Sequence, residues 1–191
     1  MLKSPDRRTP RGMRDAAILE LLYATGLRAS ELVSVRVSSV DLDSGLLHVT
    51  QGRGQDRWVP IPSDALMVLR GYVLHGRKAI LAERRRECEK LFLPSQQEGK
   101  TLTPDRVSHI VSAAAGSAGI EKAVFPSSLR RSLMVHLFEH GVDIEVIQAL
   151  HRSTSDCAAK NMFRNARGVW PATKRRPRRR PTRALPAPRE C

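Results

Sequence analysis

Cysteine is scarce in this chain of 191 residues, and the three that occur, Cys88, Cys157 and Cys191, are widely separated. An odd number at such spacing predicts neither a disulfide framework nor a structural zinc site, and it indicates a reducing compartment. No apolar run approaches the length that a membrane-spanning helix needs. The basic segment 1–12 has no apolar stretch of the kind found in secretory signals, so we expect a cytoplasmic protein.

Aromatic residues make up only 4% of the sequence, whereas hydrophobic residues in total make up 41%. This combination fits a core built mainly from Leu, Val and Ala in helices. Acidic residues are also few, with 19 Asp and Glu against 33 Lys and Arg and a formal net charge of +14. Ten of those basic residues lie in residues 164–191. The rest of the chain is therefore moderately basic, which is compatible with a phosphate-backbone partner but does not require one.

The two ends of the chain differ in composition from its middle. Residues 1–12 are polar with two prolines and clustered charge, which predicts a disordered start. Residues 164–191 are dense in Arg and Pro, and such a composition cannot build a core, so a disordered basic tail is predicted there. One folded domain is then expected over residues 13–163.

The most informative stretch is residues 13–36, where apolar residues recur at helical spacing until Gly26 interrupts the pattern. A second helix is predicted from about Ser30, with Glu31 in its first turn. Arg28 therefore lies in a tight corner beside a helix N-terminus, where the helix dipole disfavours a cation. An Arg in such a place either holds an anion or packs its stem for structural reasons.

Residues 40–62 predict a β-hairpin, because apolar residues flank a turn at Gly52-Arg53-Gly54. Two antiparallel strands are expected, or three if residues near 35–41 join them, and Pro60 argues for an edge position. Two helices are predicted to follow, capped by Ser63 and Thr103. A short strand or extended stretch at 91–95 separates them.

A second informative stretch, residues 125–148, predicts a helix from Pro126 that ends at Gly141, with a further helix after it. Arg130 lies one turn into the first helix, close to N-terminal amides that favour phosphate. The same helix contains the inverted zincin pattern H-x-x-E-H, formed by His136, Glu139 and His140. The match is short and no third ligand is indicated, so we expect no metal site.

The sequences ATGLRASEL at 24–32 and SSLRRSLMVHLFEHGVDIEVIQ at 127–148 resemble motifs of the tyrosine recombinases, or phage integrases, with the Xer-type and integron integrases most similar. The resemblance runs from about Met13 to about Met162. It implies an α+β fold, a mostly helical catalytic domain with a small antiparallel sheet, over residues 13–163. It also implies site-specific DNA recombination and integration through a 3′-phosphotyrosyl intermediate, without a metal or other cofactor. Double-stranded DNA and other recombinase subunits are the implied partners, at the nucleoid.

By this resemblance, Arg28 and Arg130 are catalytic residues that grip the scissile phosphate. Arg53 is the third, on the hairpin turn where the family places a Lys that donates a proton to the leaving oxygen. Arg is a poor replacement in that role, because its pKa stays above about 12 and it rarely gives up a proton. Arg131, beside Arg130, is expected to be a DNA-facing surface residue.

Two residue types that the family needs are replaced in this chain. Ser127 stands where the family has His three residues before the second Arg, and the nucleophilic Tyr falls on Met162 or Asn161. We therefore predict a member of the recombinase family that is catalytically impaired. The alternatives are a non-enzymatic DNA-binding protein and a decayed recombinase fragment. The tail is interpreted either as a basic arm that follows DNA phosphates or as non-native sequence from a shifted reading frame.

Overall fold

The computed structural model of the protein describes residues 1–50, 56–84, 88–95, 101–144 and 146–147. These residues belong to one unit of the chain, Met1–Thr154. Three predicted features lie outside the described residues: Arg53 on the hairpin turn, the Tyr positions Asn161 and Met162, and the tail 164–191.

Helix α1 spans Pro10–Thr25 and supplies much of the core. Thr9 caps it by accepting a hydrogen bond from the Gly12 amide at 3.0 Å, and Pro takes the first helical position, which suits its fixed φ. The start of the chain therefore differs from the predicted disorder over residues 1–12. The cap and the proline start the helix within that segment, and Met1 packs against the core.

The end of α1 follows the prediction. Gly26 adopts a φ of 62°, and its amide donates to the Leu22 carbonyl at 3.0 Å. Helix α2 follows at once over Ala29–Ser34, and a short 3-10 turn, Val37–Ser39, leads to the sheet.

In the described residues the sheet has three strands, β1 at Val40–Asp41, β2 at Leu46–Val49 and β3 at Arg57–Pro60. Both neighbouring pairs are antiparallel, in the order β1-β2-β3. Pro60 thus lies on an edge strand, as predicted, where a residue without an amide donor is tolerated. A mostly helical domain with a small antiparallel sheet confirms the predicted α+β fold class.

Helix α3 spans Ser63–Gly71, a π turn follows at Tyr72–Gly76, and α4 spans Arg77–Arg84. The predicted cap at Ser63 is wrong, because Pro62 occupies the N-cap position and Ser63 is already helical. The segment 91–95 forms no strand; next to it lies only an isolated bridge between Arg36 and Lys90.

Helix α5 spans Pro104–Ser117 and α6 spans Pro126–Glu139. Thr103 caps α5 as predicted, because its hydroxyl accepts a hydrogen bond from the Arg106 amide at 3.2 Å. After α6, Gly141 adopts a φ of 81°, which ends the helix where the sequence predicts.

The core forms where α1 packs against α3, α6 and the π turn. It also encloses a charged residue that the sequence did not single out. Arg14 has no exposed surface; its Nη1 donates to the Leu93 carbonyl at 3.0 Å, and its Nη2 lies 2.8 Å from an Asp15 carboxylate oxygen. Among the described residues, no helix combines the length and apolar character needed to cross a bilayer.

Candidate functional site

The turn between α1 and α2 forms a corner whose backbone is fixed on both sides. Gly26 ends α1, Leu27 is fully buried, and Arg28 takes the N-cap position of α2. The Arg28 amide donates to the Glu31 carboxylate at 2.8 Å, which forms one half of a capping box. Because the buried Leu27 anchors the turn, the half-buried Arg28 side chain has a defined starting position beside the N-terminus of α2.

Arg130 reaches this corner from α6. Its Nη1 donates to the Gly26 carbonyl oxygen at 2.5 Å, although the two residues are 104 positions apart in the sequence. Its guanidinium is thus directed across to α1 rather than toward the amides of its own helix, where the sequence placed it. The structure brings two of the predicted site residues, Arg28 and Arg130, to one corner; their catalytic roles stay predictions.

The charges at the corner act on one another. Burial lowers the pKa of the Arg130 guanidinium, Arg28 lowers it further, Glu31 raises it and Arg57 lowers it. The guanidinium stays protonated nevertheless, because the ordinary pKa of Arg lies above about 12. The corner therefore holds cations that repel one another. An anion bound there would relieve that repulsion and replace the water that burial removes.

A buried ion pair lies beside the two arginines, and sequence reasoning missed it. Arg57 Nη1 and Nη2 donate to the two carboxylate oxygens of Glu31 at 2.9 Å and 3.1 Å. The side chains of Arg57 and Glu31 are only 9% and 6% exposed. Planar, forked donors of this kind fix the geometry of a carboxylate as well as its charge.

The strand pattern contains the signal that could have found Arg57. In the observed register it pairs with the buried Val49, and Leu47 pairs with Val59 on the same face. Side chains alternate along a strand, so a cation two residues before an inward-facing Val points inward as well. An Arg at an inward position needs a carboxylate partner.

Two further predicted site residues lie on α6 at exposed positions. Ser127, in the place of the family His, is the second residue of the helix, and Arg131 follows Arg130. Both side chains are open to solvent, and the DNA-facing role of Arg131 stays a prediction. The hairpin residue Arg53 lies outside the described residues.

The two histidines of the H-x-x-E-H pattern make contacts within the protein. Nδ1 of His136 shares a hydrogen bond of 2.5 Å with the Tyr23 hydroxyl, and Nδ1 of His140 donates to the His136 carbonyl at 2.7 Å. Within the part of the chain that the structure describes, no group of three His, Cys, Asp or Glu residues is placed to hold a metal ion.

The fold and the corner define a small α+β domain with clustered arginines at the junction of two helices. Comparison with known proteins identifies its relatives. The chain matches the phage integrase family over residues 1–157. It is 36% identical over 151 residues to the tyrosine recombinase XerD of Ralstonia nicotianae and 39% identical over 150 residues to that of Pseudomonas putida, in each case over 78% of this chain. The protein therefore belongs to the phage integrase family of tyrosine recombinases.

Solved structures agree with this assignment. The crystal structure of XerA recombinase is 25% identical, with a TM-score of 0.66 over 81% of this chain and 58% of that one. XerH recombinase bound to its difH substrate shares the fold, with a TM-score of 0.69 at 18% identity over 84% of this chain and 44% of that one. The chain spans about half the length of its curated relatives, 48% of the Ralstonia protein and 49% of the Pseudomonas protein.

Proposed function

We propose that this protein binds double-stranded DNA through a backbone phosphate held between Arg28 and Arg130, the phosphate that a site-specific recombinase grips during strand exchange. One observation carries the proposal: Arg130 comes from α6 to the α1–α2 corner, where its guanidinium contacts Gly26 and is electrostatically coupled to Arg28. Two guanidinium groups offer planar donors that match the oxygens of a phosphate.

The relatives support DNA as the source of that phosphate. The XerH site-specific recombinase has been solved with difH substrate in both a pre-cleavage and a post-cleavage complex. A bound phosphodiester would be one of many along a duplex, and the basic residues outside the corner would add attraction that does not depend on sequence. Other recombinase subunits are the further partners that this proposal implies.

Gripping a phosphate is separable from cutting the strand. During cleavage, negative charge grows on the non-bridging oxygens, and both arginines would stabilise it in any family member that retains the nucleophile. The two tyrosines of this sequence are Tyr23 and Tyr72, and neither stands near positions 161 and 162. We therefore propose that this chain retains the phosphate grip without the cleavage step, and so occupies recombination sites or mixes with intact subunits.

A salt titration tests the phosphate grip. Binding of a short fluorescein-labelled duplex to the full chain is measured by anisotropy over a range of salt concentrations. Removing one phosphate contact makes the slope of log affinity against log salt shallower by about 0.9. We expect that change, with weaker binding, for both Arg28→Ala and Arg130→Ala.

Arg8→Ala is the matched control, because it removes the same charge at the other end of α1. That helix has 16 residues and is about 24 Å long, so Arg8 lies about one helix length from Gly26. Its side chain is 90% exposed and pairs only weakly with Asp6 at the surface. An equal loss in all three variants would contradict a specific phosphate site and indicate general charge attraction.

A further inference from the structure

Glu31 contacts two parts of the corner at the same time. Its Oε2 accepts hydrogen bonds from the Arg28 backbone amide at 2.8 Å and from Arg57 Nη2 at 3.1 Å, while its Oε1 accepts from Arg57 Nη1 at 2.9 Å. A bidentate pair that is almost fully buried has little orientational freedom. Any displacement of Arg57 is therefore transmitted through Glu31 to the backbone of Arg28.

Arg57 belongs to a different element from the residues that it organises. It is the first residue of β3 and pairs with Val49 of β2. The ion pair consequently joins the strand pair of β2 and β3 nearest their connection to the turn that carries Arg28. The same turn is also held by the buried Leu27, by the Arg130 hydrogen bond to the Gly26 carbonyl and by the Leu32 amide, which donates to the Arg28 carbonyl at 2.9 Å, but Glu31 is the side chain that accepts from the Arg28 amide.

The hydrogen bonding of Arg57 indicates that its own guanidinium is not the anion-binding group. Each terminal nitrogen donates one hydrogen bond to Glu31, and within the described part of the chain the buried Nε makes none. Because the side chain is almost fully buried and is paired in the forked geometry with Glu31, its charge is committed to that carboxylate.

We infer that Arg57 is a positioning residue of the phosphate corner, which acts through Glu31 to hold the Arg28 backbone in the orientation that aims its guanidinium at a DNA phosphate. The inference rests on the proposed function and adds a residue to that site. The pair is neutral as a unit, so its contribution is geometric and not a matter of attracting DNA by charge.

Glu31→Gln distinguishes an electrostatic role of the ion pair from a geometric one, because the two roles predict opposite changes in affinity for the labelled duplex. The substitution removes a negative charge, so a purely electrostatic role predicts tighter binding of the labelled duplex. Loss of the bidentate geometry predicts binding weaker by about tenfold and a salt slope shallower by about 0.9, as if the Arg28 contact were gone. Arg57→Lys keeps the charge but not the fork, and we expect the same two changes.

Matched controls come from an exposed ion pair, Arg36 with Glu89, whose side chains are 59% and 79% exposed. Glu89→Gln repeats the removal of a negative charge, and Arg36→Lys repeats the loss of the forked donor with the positive charge kept. Both changes lie outside the corner. Both should leave the salt slope unchanged and alter affinity by less than about twofold, because exposed pairs contribute little.

Double variants test whether Arg57 acts through Arg28. If it does, Arg28→Ala combined with Arg57→Lys binds no more weakly than Arg28→Ala alone, since both remove one contact. Additive losses, or wild-type binding by Arg57→Lys, would overturn the inference while leaving the phosphate grip standing. Wild-type binding by Arg28→Ala would instead remove the proposed function itself. Thermal melting identifies the folded variants, and should Arg57→Lys not fold, Glu31→Gln carries the test with the same Arg28→Ala background.

Discussion

Gly26 has two roles at the corner, one through its backbone conformation and one through its carbonyl oxygen. Its φ of 62° lets α1 end and the chain turn, and its carbonyl oxygen accepts the hydrogen bond from Arg130. In Gly26→Ala, the left-handed conformation costs about 1 kcal/mol because Cβ crowds the backbone. We expect the free energy of unfolding in urea to fall by about that amount. DNA affinity should fall as well, because the carbonyl that orients Arg130 shifts.

Gly116→Ala is the control for this substitution. Gly116 lies in α5, and a Cβ at that position would meet nothing within 4 Å. Helix propensity alone then predicts that the free energy of unfolding stays the same or rises by up to about 1 kcal/mol. Equal losses of stability in the two variants would contradict the role assigned to the left-handed turn.

Individual residues differ in how far the sequence could predict them. The corner itself was predictable, because a Gly after an apolar helical pattern and an acidic residue three positions after Arg28 are local signals. The contact of Arg130 with Gly26 depends on the packing of α6 against α1, and only the family resemblance indicated that the two segments meet. Glu31 lies in α2 and Arg57 in β3, so no local sequence pattern could predict that the two residues pair.

Tyr72 joins the π turn after α3 to the segment that follows α4. Its hydroxyl donates to the Leu91 carbonyl at 3.1 Å and accepts from the Leu93 amide at 3.2 Å. Burial raises the pKa of Tyr72 to about 12, against a smaller opposing effect of the Leu93 amide. Because the folded protein holds this proton more tightly than the unfolded chain, whose Tyr pKa is about 10, the stabilisation is complete below pH about 10.

We therefore expect the free energy of unfolding to decrease as the pH rises from about 10 to about 12, with a slope from this group that approaches about 1.4 kcal/mol per pH unit. Tyr72→Phe should be less stable near neutral pH, because the Leu91 and Leu93 backbone groups lose their partner. The free energy of unfolding of Tyr72→Phe should nevertheless depend less on pH in the alkaline range than that of the unchanged protein. Urea denaturation at several pH values measures both, and parallel profiles for the two proteins would contradict the assignment.

At the scale of elements, the local signals that succeeded were caps and turns. Thr103 with Pro104 begins α5, and glycines end α1 and α6 where the sequence predicts. The start of the chain was not predictable in the same way. A polar, charged segment indicates disorder by composition, whereas Thr9 and Pro10 form a helix start whose stability comes from the apolar face of α1 further along the chain.

At the scale of the whole molecule, family membership alone does not imply the family chemistry. The chain matches the phage integrase family over residues 1–157, and the resemblance puts the family nucleophile at Met162 or Asn161. Neither side chain can form a phosphotyrosine-like ester. The proposed grip on the phosphate therefore does not imply strand cleavage, and the two are measurable separately.

Neither tyrosine of this sequence lies at the position where the resemblance puts the family nucleophile. Tyr72 has no exposed surface, and the Tyr23 hydroxyl shares a hydrogen bond with His136. We expect no covalent protein–DNA adduct on denaturing gels when the full chain is incubated with nicked suicide duplexes that carry Xer-type recombination sites. The tyrosine recombinase XerD of Pseudomonas putida, treated in parallel, is the positive control. An adduct formed by this chain would refute the proposed loss of cleavage chemistry, and mass spectrometry of the linked peptide would identify the nucleophile.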